Sequence, residues 1–220
     1  MNIKAVVFDM DGLMIDSERI IRRAWGIVGR QLGYGDLGED MYYTMGLNVV
    51  RREKYFKDKY GEDFPFDEFL DAYRHEYHMY VREHGIDAKP GLYEILETLK
   101  ELGIPMAVAT STGRDNAIRN LKDKNVDGYF DVMVCGDMVN DAKPSPEIYQ
   151  KACELLGVMP GDAIALEDSL NGVRSAFAAG MQTIMIPDLI KDTSEAESMI
   201  FMKMDSLSDV SEWIRKNMNA

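Results

Sequence analysis

Short apolar runs alternate with amphipathic stretches along most of this chain, and one long segment breaks the rhythm. Ala5-Val6-Val7-Phe8 is an apolar run that stops at Asp9, the pattern of a buried strand. Met106 to Thr110, Val132 to Cys135, Ala163 to Leu166 and Thr183 to Ile186 repeat that pattern, the last of them stopped by Pro187. Between these runs the apolar positions fall at helical spacing. Leu92, Ile95, Leu96, Leu99 and Leu102 share a face that Pro90 opens and Gly103 closes. Ala117 to Lys124 is helical. Ile148, Ala152, Leu155 and Leu156 follow Ser145-Pro146 and end at Gly157. Leu170 to Ala179 is closed by Gly180, and Val210, Trp213 and Ile214 mark a final helix.

The exception runs from Ser17 to Gly85, where no strand pattern occurs. Ser17 is placed to cap a helix through Ile20, Ile21, Ala24, Trp25 and Val28, which Gly33, Gly35 and Gly38 break. From Met41 the chain is charged, aromatic and helical in pattern. Phe64-Pro65-Phe66-Asp67 interrupts it ahead of a helix through Phe69, Leu70, Tyr73 and Tyr77. The pattern predicts an α/β fold: a Rossmann-like core of parallel strands, residues 1–15 and 87–220, with an all-helical cap, residues 16–86, inserted after the first strand.

At 220 residues and 46% hydrophobic composition the chain can bury a sizeable core. A net charge of −13 argues against nucleic acid and anionic membrane as partners, since both need a basic surface. Cys135 and Cys153 lack metal-ligand spacing and sit in apolar patterns, which predicts buried, inert thiols in a reducing compartment. The first apolar run is broken at Asp9, and no stretch has the length of a membrane span, so the expectation is a cytoplasmic protein.

Four polar motifs stand at the predicted strand ends or just ahead of a helix: Asp9-Met10-Asp11-Gly12, Thr110-Ser111-Thr112, Lys143-Pro144 and Glu167-Asp168. Parallel strands bring such ends to one edge of a sheet. Together they offer a nucleophile, a hydroxyl donor, a fixed cation and a metal-binding acid pair, the parts that phosphoryl transfer needs. An anionic substrate must be captured locally against the overall negative charge. Glu167 and Asp168 are also placed to cap the following helix, and Ser111 to cap another. Arg22, Arg23, Arg51, Arg52 and Lys54 cluster in the insert, either as a solvated helix face or as contacts for a phosphate or sugar. His75 and His78 share a helix face without a third ligand and read as surface or packing residues.

This ordered set resembles the haloacid dehalogenase superfamily over essentially the whole chain, in the subgroup of sugar-phosphate phosphatases and phosphomutases with a helical cap. The resemblance implies that Asp9 is the nucleophile that becomes an aspartyl-phosphate and that Asp11 is the general acid/base. It implies that Thr110 and the Ser111 N–H hold a phosphoryl oxygen, and that Lys143 neutralises Asp9 and the phosphoryl group. Mg²⁺ is the implied cofactor, held by Asp9, Asp11 through its backbone carbonyl, Glu167 and Asp168. Substrate contacts are expected from Ser111, Arg22, Arg51 and Arg52.

The expected activity is Mg²⁺-dependent hydrolysis of a small phosphorylated metabolite, a sugar phosphate, by a monomer or weak dimer. The runner-up is a phosphohexomutase of β-phosphoglucomutase type. Those mutases carry a cap histidine and a phosphate-clamping arginine; here Ile21 stands at the first position, and the second falls near Asn48 and Val49. Two rivals come from other classes. A phospho-accepting receiver module is disfavoured by the helical insert and by the Asp9-x-Asp11 order. A non-catalytic binding protein is disfavoured by the intact motifs.

Overall fold

The computed structural model describes residues 3–44, 49–190 and 192–218. It divides into two compact units, Met1–Ile15 with Ala88–Ala220, and Asp16–Asp87. The Asn48 position lies outside the described residues.

The first unit is built on β1 (Ala5–Phe8), β2 (Met106–Ala109), β3 (Val132–Val134), β4 (Ala163–Glu167), β5 (Gln182–Met185) and β6 (Met202–Lys203). All pair in parallel in the order β3-β2-β1-β4-β5-β6. This is the expected α/β core. The chain goes to opposite sides of β1 for β2 and β4, so a crevice is left at the strands' C-terminal ends beside β1, where open α/β sheets bind ligands. The register aligns Phe8 with Val108 on one side and Leu166 on the other. Asp9, Thr110 and Glu167 therefore emerge at one edge.

The helices of this unit are α5 (Leu92–Glu101), α6 (Arg114–Asp123), α7 (Glu147–Leu156), α8 (Leu170–Ala178) and α9 (Leu207–Met218). Alternate strand residues Ala5, Val7, Ala107, Ala109, Ala163 and Ala165 form one buried face with Ile148, Ala152 and Cys153 of α7 and Ala176 of α8. Small side chains on the strands let helices come close, and the period of two sends Val6, Phe8, Val108, Ile164 and Leu166 to the other face, where they are buried as well. Cys135 and Cys153 are both buried and free, as their apolar settings predict.

Several local expectations are corrected. β6, a two-residue edge strand, lies beyond the run expected to be last; it is too short to carry a period. The helix expected to be capped by Ser17 has Asp16 at its N-cap and Ser17 as its first residue. Of the two leucines placed on the buried stripe of α7, Leu156 packs against the core, while Leu155 is 54% exposed. Neither Glu167 nor Asp168 is the N-cap residue of α8: Ser169 is, accepting from the Gly172 N–H at 3.0 Å.

The second unit holds α1 (Ser17–Gln31), α2 (Met41–Thr44), α3 (Val49–Tyr60) and α4 (Phe66–His84). Its described residues form helices and turns, without a strand. Trp25 of α1 packs edge-on against Phe56, Phe69 and Tyr73, each such contact contributing about 0.5–1.5 kcal/mol beyond burial. Asp40, almost fully buried, accepts from Tyr55 and Tyr60 at 2.6 Å each and pairs with Lys59, tying α3 to the turn before α2. The chain leaves and re-enters the first unit side by side: Ile15 bridges Ala88 antiparallel, and the Lys89 N–H donates to Met14 O at 2.9 Å. No described helix is long and apolar enough to cross a membrane.

Candidate active site

Asp9 follows β1 directly, its N–H donating to Leu166 O of β4 at 3.0 Å. The chain then turns at Gly12, whose φ of 85° a side chain would resist. Gly12 N–H donates to Ile15 O, and Asp11 bridges Ile15, so Asp11 is held by the turn two residues past Asp9.

Lys143 supplies the fixed cation. Its Nζ lies 2.5 Å from Asp9 Oδ1, 2.7 Å from Glu167 Oε1, 2.9 Å from Ala109 O and 3.3 Å from the Tyr149 hydroxyl. Its side chain is 7% exposed. Burial works to strip the Lys143 proton, but the facing Asp9 and Glu167 carboxylates outweigh it and hold the ammonium well above the usual lysine range. For Asp9 the balance tips the other way. Burial is the largest influence and raises its carboxyl above the usual range; Lys143 opposes, and Glu167 and Asp11 add to the rise.

Glu167, the last residue of β4, is fully buried. Its Oε1 accepts from Lys143 and from the Tyr149 hydroxyl at 2.7 Å each. Its Oε2 accepts from Asp168 N–H at 3.1 Å, from Ser169 N–H at 3.3 Å and from Ser169 Oγ at 3.1 Å. The carboxylate fits against α8 only because residue 172 is glycine: a Cβ there would lie 1.8 Å from Glu167 Oε1.

The acids fit a divalent cation. Asp9, Glu167 and Asp168 are all buried, and each offers a carboxylate oxygen within 4.8 Å of the others. An all-oxygen donor set with one ammonium among several carboxylates suits a hard cation such as Mg²⁺. Glu167 already accepts on both oxygens, and Asp9, Glu167 and Asp168 are together the residues that could hold the ion.

The hydroxyl motif stands across from Asp11. Thr110 is buried, and its Oγ1 accepts from Thr112 N–H at 3.0 Å and donates to Asp11 Oδ2 at 3.3 Å. Thr112 Oγ1 donates to the same Asp11 oxygen at 2.7 Å. Ser111 is exposed at the rim. Asp137 fastens the loop, accepting from the Arg114 N–H at the start of α6.

Asp9, Asp11, Thr110, Lys143, Glu167 and Asp168 therefore meet at one sheet edge. Arg22, Arg51 and Arg52 lie in the helical unit. Arg22 pairs with Glu39 and stacks over Tyr42, Arg52 stacks over Trp25, and Arg51 is exposed. Tyr149 and Ser169 also shape the site without having been singled out; Thr112 stood only as the last residue of a motif, and Gly172 reads in the sequence as a turn or packing residue. Each carried a signal: a tyrosine on an apolar helix stripe, a serine where the acid pair meets a helix, a second threonine two residues past Thr110, and a glycine inside a helix.

The family model for haloacid dehalogenase-like hydrolases matches residues 6–186. A phosphorylated carbohydrates phosphatase of Thermotoga maritima is 34% identical over 191 residues, covering 82% of this chain and 83% of its own. Hexitol phosphatase A of Escherichia coli is 30% identical over 186 residues, covering 84% of each. The crystal structure of CbbY from Rhodobacter sphaeroides in complex with phosphate superposes with a TM-score of 0.76 at 30% identity, covering 94% of this chain and 96% of the other. A family match over residues 6–186, on a sheet that gathers Asp9, Asp11, Glu167 and Asp168 at its edge, means that the chain belongs to the haloacid dehalogenase-like hydrolase family.

Proposed function

We propose that this hydrolase is a Mg²⁺-dependent phosphoric monoester phosphatase that acts on a small phosphorylated metabolite, a sugar phosphate, through an aspartyl-phosphate. The observation that carries this reading is the buried Asp9–Lys143–Glu167 cluster, with a carboxylate at the end of β1 held 2.5 Å from a fixed ammonium. The named phosphatases among its relatives support the same substrate class.

In the proposed cycle an Asp9 carboxylate oxygen attacks phosphorus in line. The P–O bond to the leaving group breaks as the Asp9–phosphorus bond forms, and Asp11 gives its proton to the departing alkoxide. Asp11 then takes a proton from water as that water attacks the phosphorus, which frees Asp9 and releases inorganic phosphate. Lys143 stabilises the oxygens that gather charge, and Thr110 and Ser111 hold the phosphoryl group. Bound among Asp9, Glu167 and Asp168, Mg²⁺ supplies the positive charge that lets a carboxylate approach a phosphate dianion.

A screen of sugar phosphates with Mg²⁺, read as inorganic phosphate, tests the reading. Wild type is expected to release phosphate rather than an isomerised ester. Asp9→Asn is expected to lower kcat by at least about 1,000-fold with an unchanged circular dichroism spectrum. Turnover that survives this change removes Asp9 as the nucleophile.

A further inference from the structure

Two hydroxyls, Thr112 Oγ1 at 2.7 Å and Thr110 Oγ1 at 3.3 Å, address one and the same oxygen of Asp11, Oδ2. They are not equivalent. Thr110 Oγ1 also accepts from the Thr112 N–H, which fixes its orientation, and it is the hydroxyl assigned to the phosphoryl group. A hydroxyl has one hydrogen to donate, so Thr110 must give up Asp11 when it turns to a phosphoryl oxygen. Thr112 makes the shorter bond. Its backbone is fixed on both sides, by its own N–H to Thr110 Oγ1 and by its carbonyl, which accepts from the Gly136 N–H at 3.1 Å.

We infer that Thr112 is the positioning residue of Asp11: its hydroxyl, held on the loop after β2, holds Oδ2 and so sets the orientation in which the carboxyl delivers its proton to the leaving group. The assignment deepens the phosphatase reading and rests on it. Rotation of a carboxyl group swaps its two oxygens, so a donor that holds one of them sets which atom faces the substrate and at what angle. Thr112 touches neither the phosphoryl group nor its leaving group in this role; it acts through Asp11.

The leaving group provides the test. An aryl phosphate such as p-nitrophenyl phosphate leaves as a stable phenolate and needs little help from an acid. An alkyl ester such as glucose 6-phosphate leaves as an alkoxide and needs the proton. The comparison is of kcat/KM, which reports steps up to phosphoryl transfer and is blind to later hydrolysis of the phosphoenzyme. Thr112→Val keeps the shape and removes the hydroxyl; Thr112→Ser keeps the hydroxyl.

Thr112→Val is expected to lower kcat/KM for glucose 6-phosphate roughly 10- to 100-fold and to change that for p-nitrophenyl phosphate by less than about threefold. Thr112→Ser is expected to restore most of the loss. Equal losses on both esters, no loss on either, or failure of serine to rescue would overturn the assignment. If wild type turns over neither ester nor any other monoester with Mg²⁺, the phosphatase reading falls and takes this inference with it. A wild type that works paired with a Thr112→Val variant that loses nothing sinks the inference alone.

Discussion

Gly172 shows how little room a single position leaves. It sits in the first turn of α8 with the Glu167 carboxylate where its side chain would be. An alanine must push that carboxylate away from Lys143, Tyr149 and Ser169, each of which would lose a charge-assisted bond. Gly172→Ala is expected to cost about 3 kcal/mol in urea unfolding and to abolish most turnover. A variant as stable as wild type would mean that Glu167 has another place to go. At this scale the sequence was legible for groups whose chemistry shows in their type, such as Asp9, Lys143 and Asp168. It was silent on Tyr149, because an aromatic on an apolar helix stripe looks like core whether or not its hydroxyl reaches a carboxylate. The protonation balance of Asp9 was equally hidden, since it depends on burial.

Among the elements, the loop that carries Lys143 owes its shape to the helix behind it. Glu147, the first residue of α7, accepts from the N–H groups of Asn140 and Asp141 at 3.0 Å, closing the loop back on the helix. Those backbone N–H groups, Asn140 first, hold its carboxyl below the usual glutamate range. A carboxyl lowered by folding contributes stability that is fully present above its unfolded value, 4.5, and lost as the pH falls through the folded value. Glu147→Gln should therefore melt below wild type at pH 7, and the gap should close as the pH drops below about 4.5. A gap independent of pH would assign the effect to packing. Most elements could be read from the chain because an apolar run of four or five residues between breakers admits few alternatives. β6 could not, since two residues at a sheet edge have no periodicity. Leu155 failed for the opposite reason: helical spacing marks a stripe, but not which of two adjacent leucines the sheet covers.

For the molecule as a whole, the acids at the sheet edge carry a cost in the absence of a cation. Asp9, Glu167 and Asp168 lie buried together with one ammonium. A ligand that binds only the folded state raises its stability by mass action, by about 2.7 kcal/mol at one hundred times its dissociation constant. For a chain of this size that is a rise in Tm of roughly 5–10 °C. Mg²⁺ is expected to raise the melting temperature of wild type, EDTA to reverse the rise, and Asp168→Asn to blunt it. A melting temperature indifferent to Mg²⁺ would remove the acid cluster as its site. The parallel core was legible at this scale because four polar motifs, each following an apolar run or opening a helix, make sense together only in one topology.

The paired crossing at Ile15 and Ala88 has a consequence for how such a chain diversifies. An excursion that departs and comes home through neighbouring backbone positions can be lengthened, shortened or exchanged for an unrelated module without rethreading the sheet it interrupts. The sheet-edge chemistry and the inserted helices can then change on separate evolutionary clocks within one polypeptide.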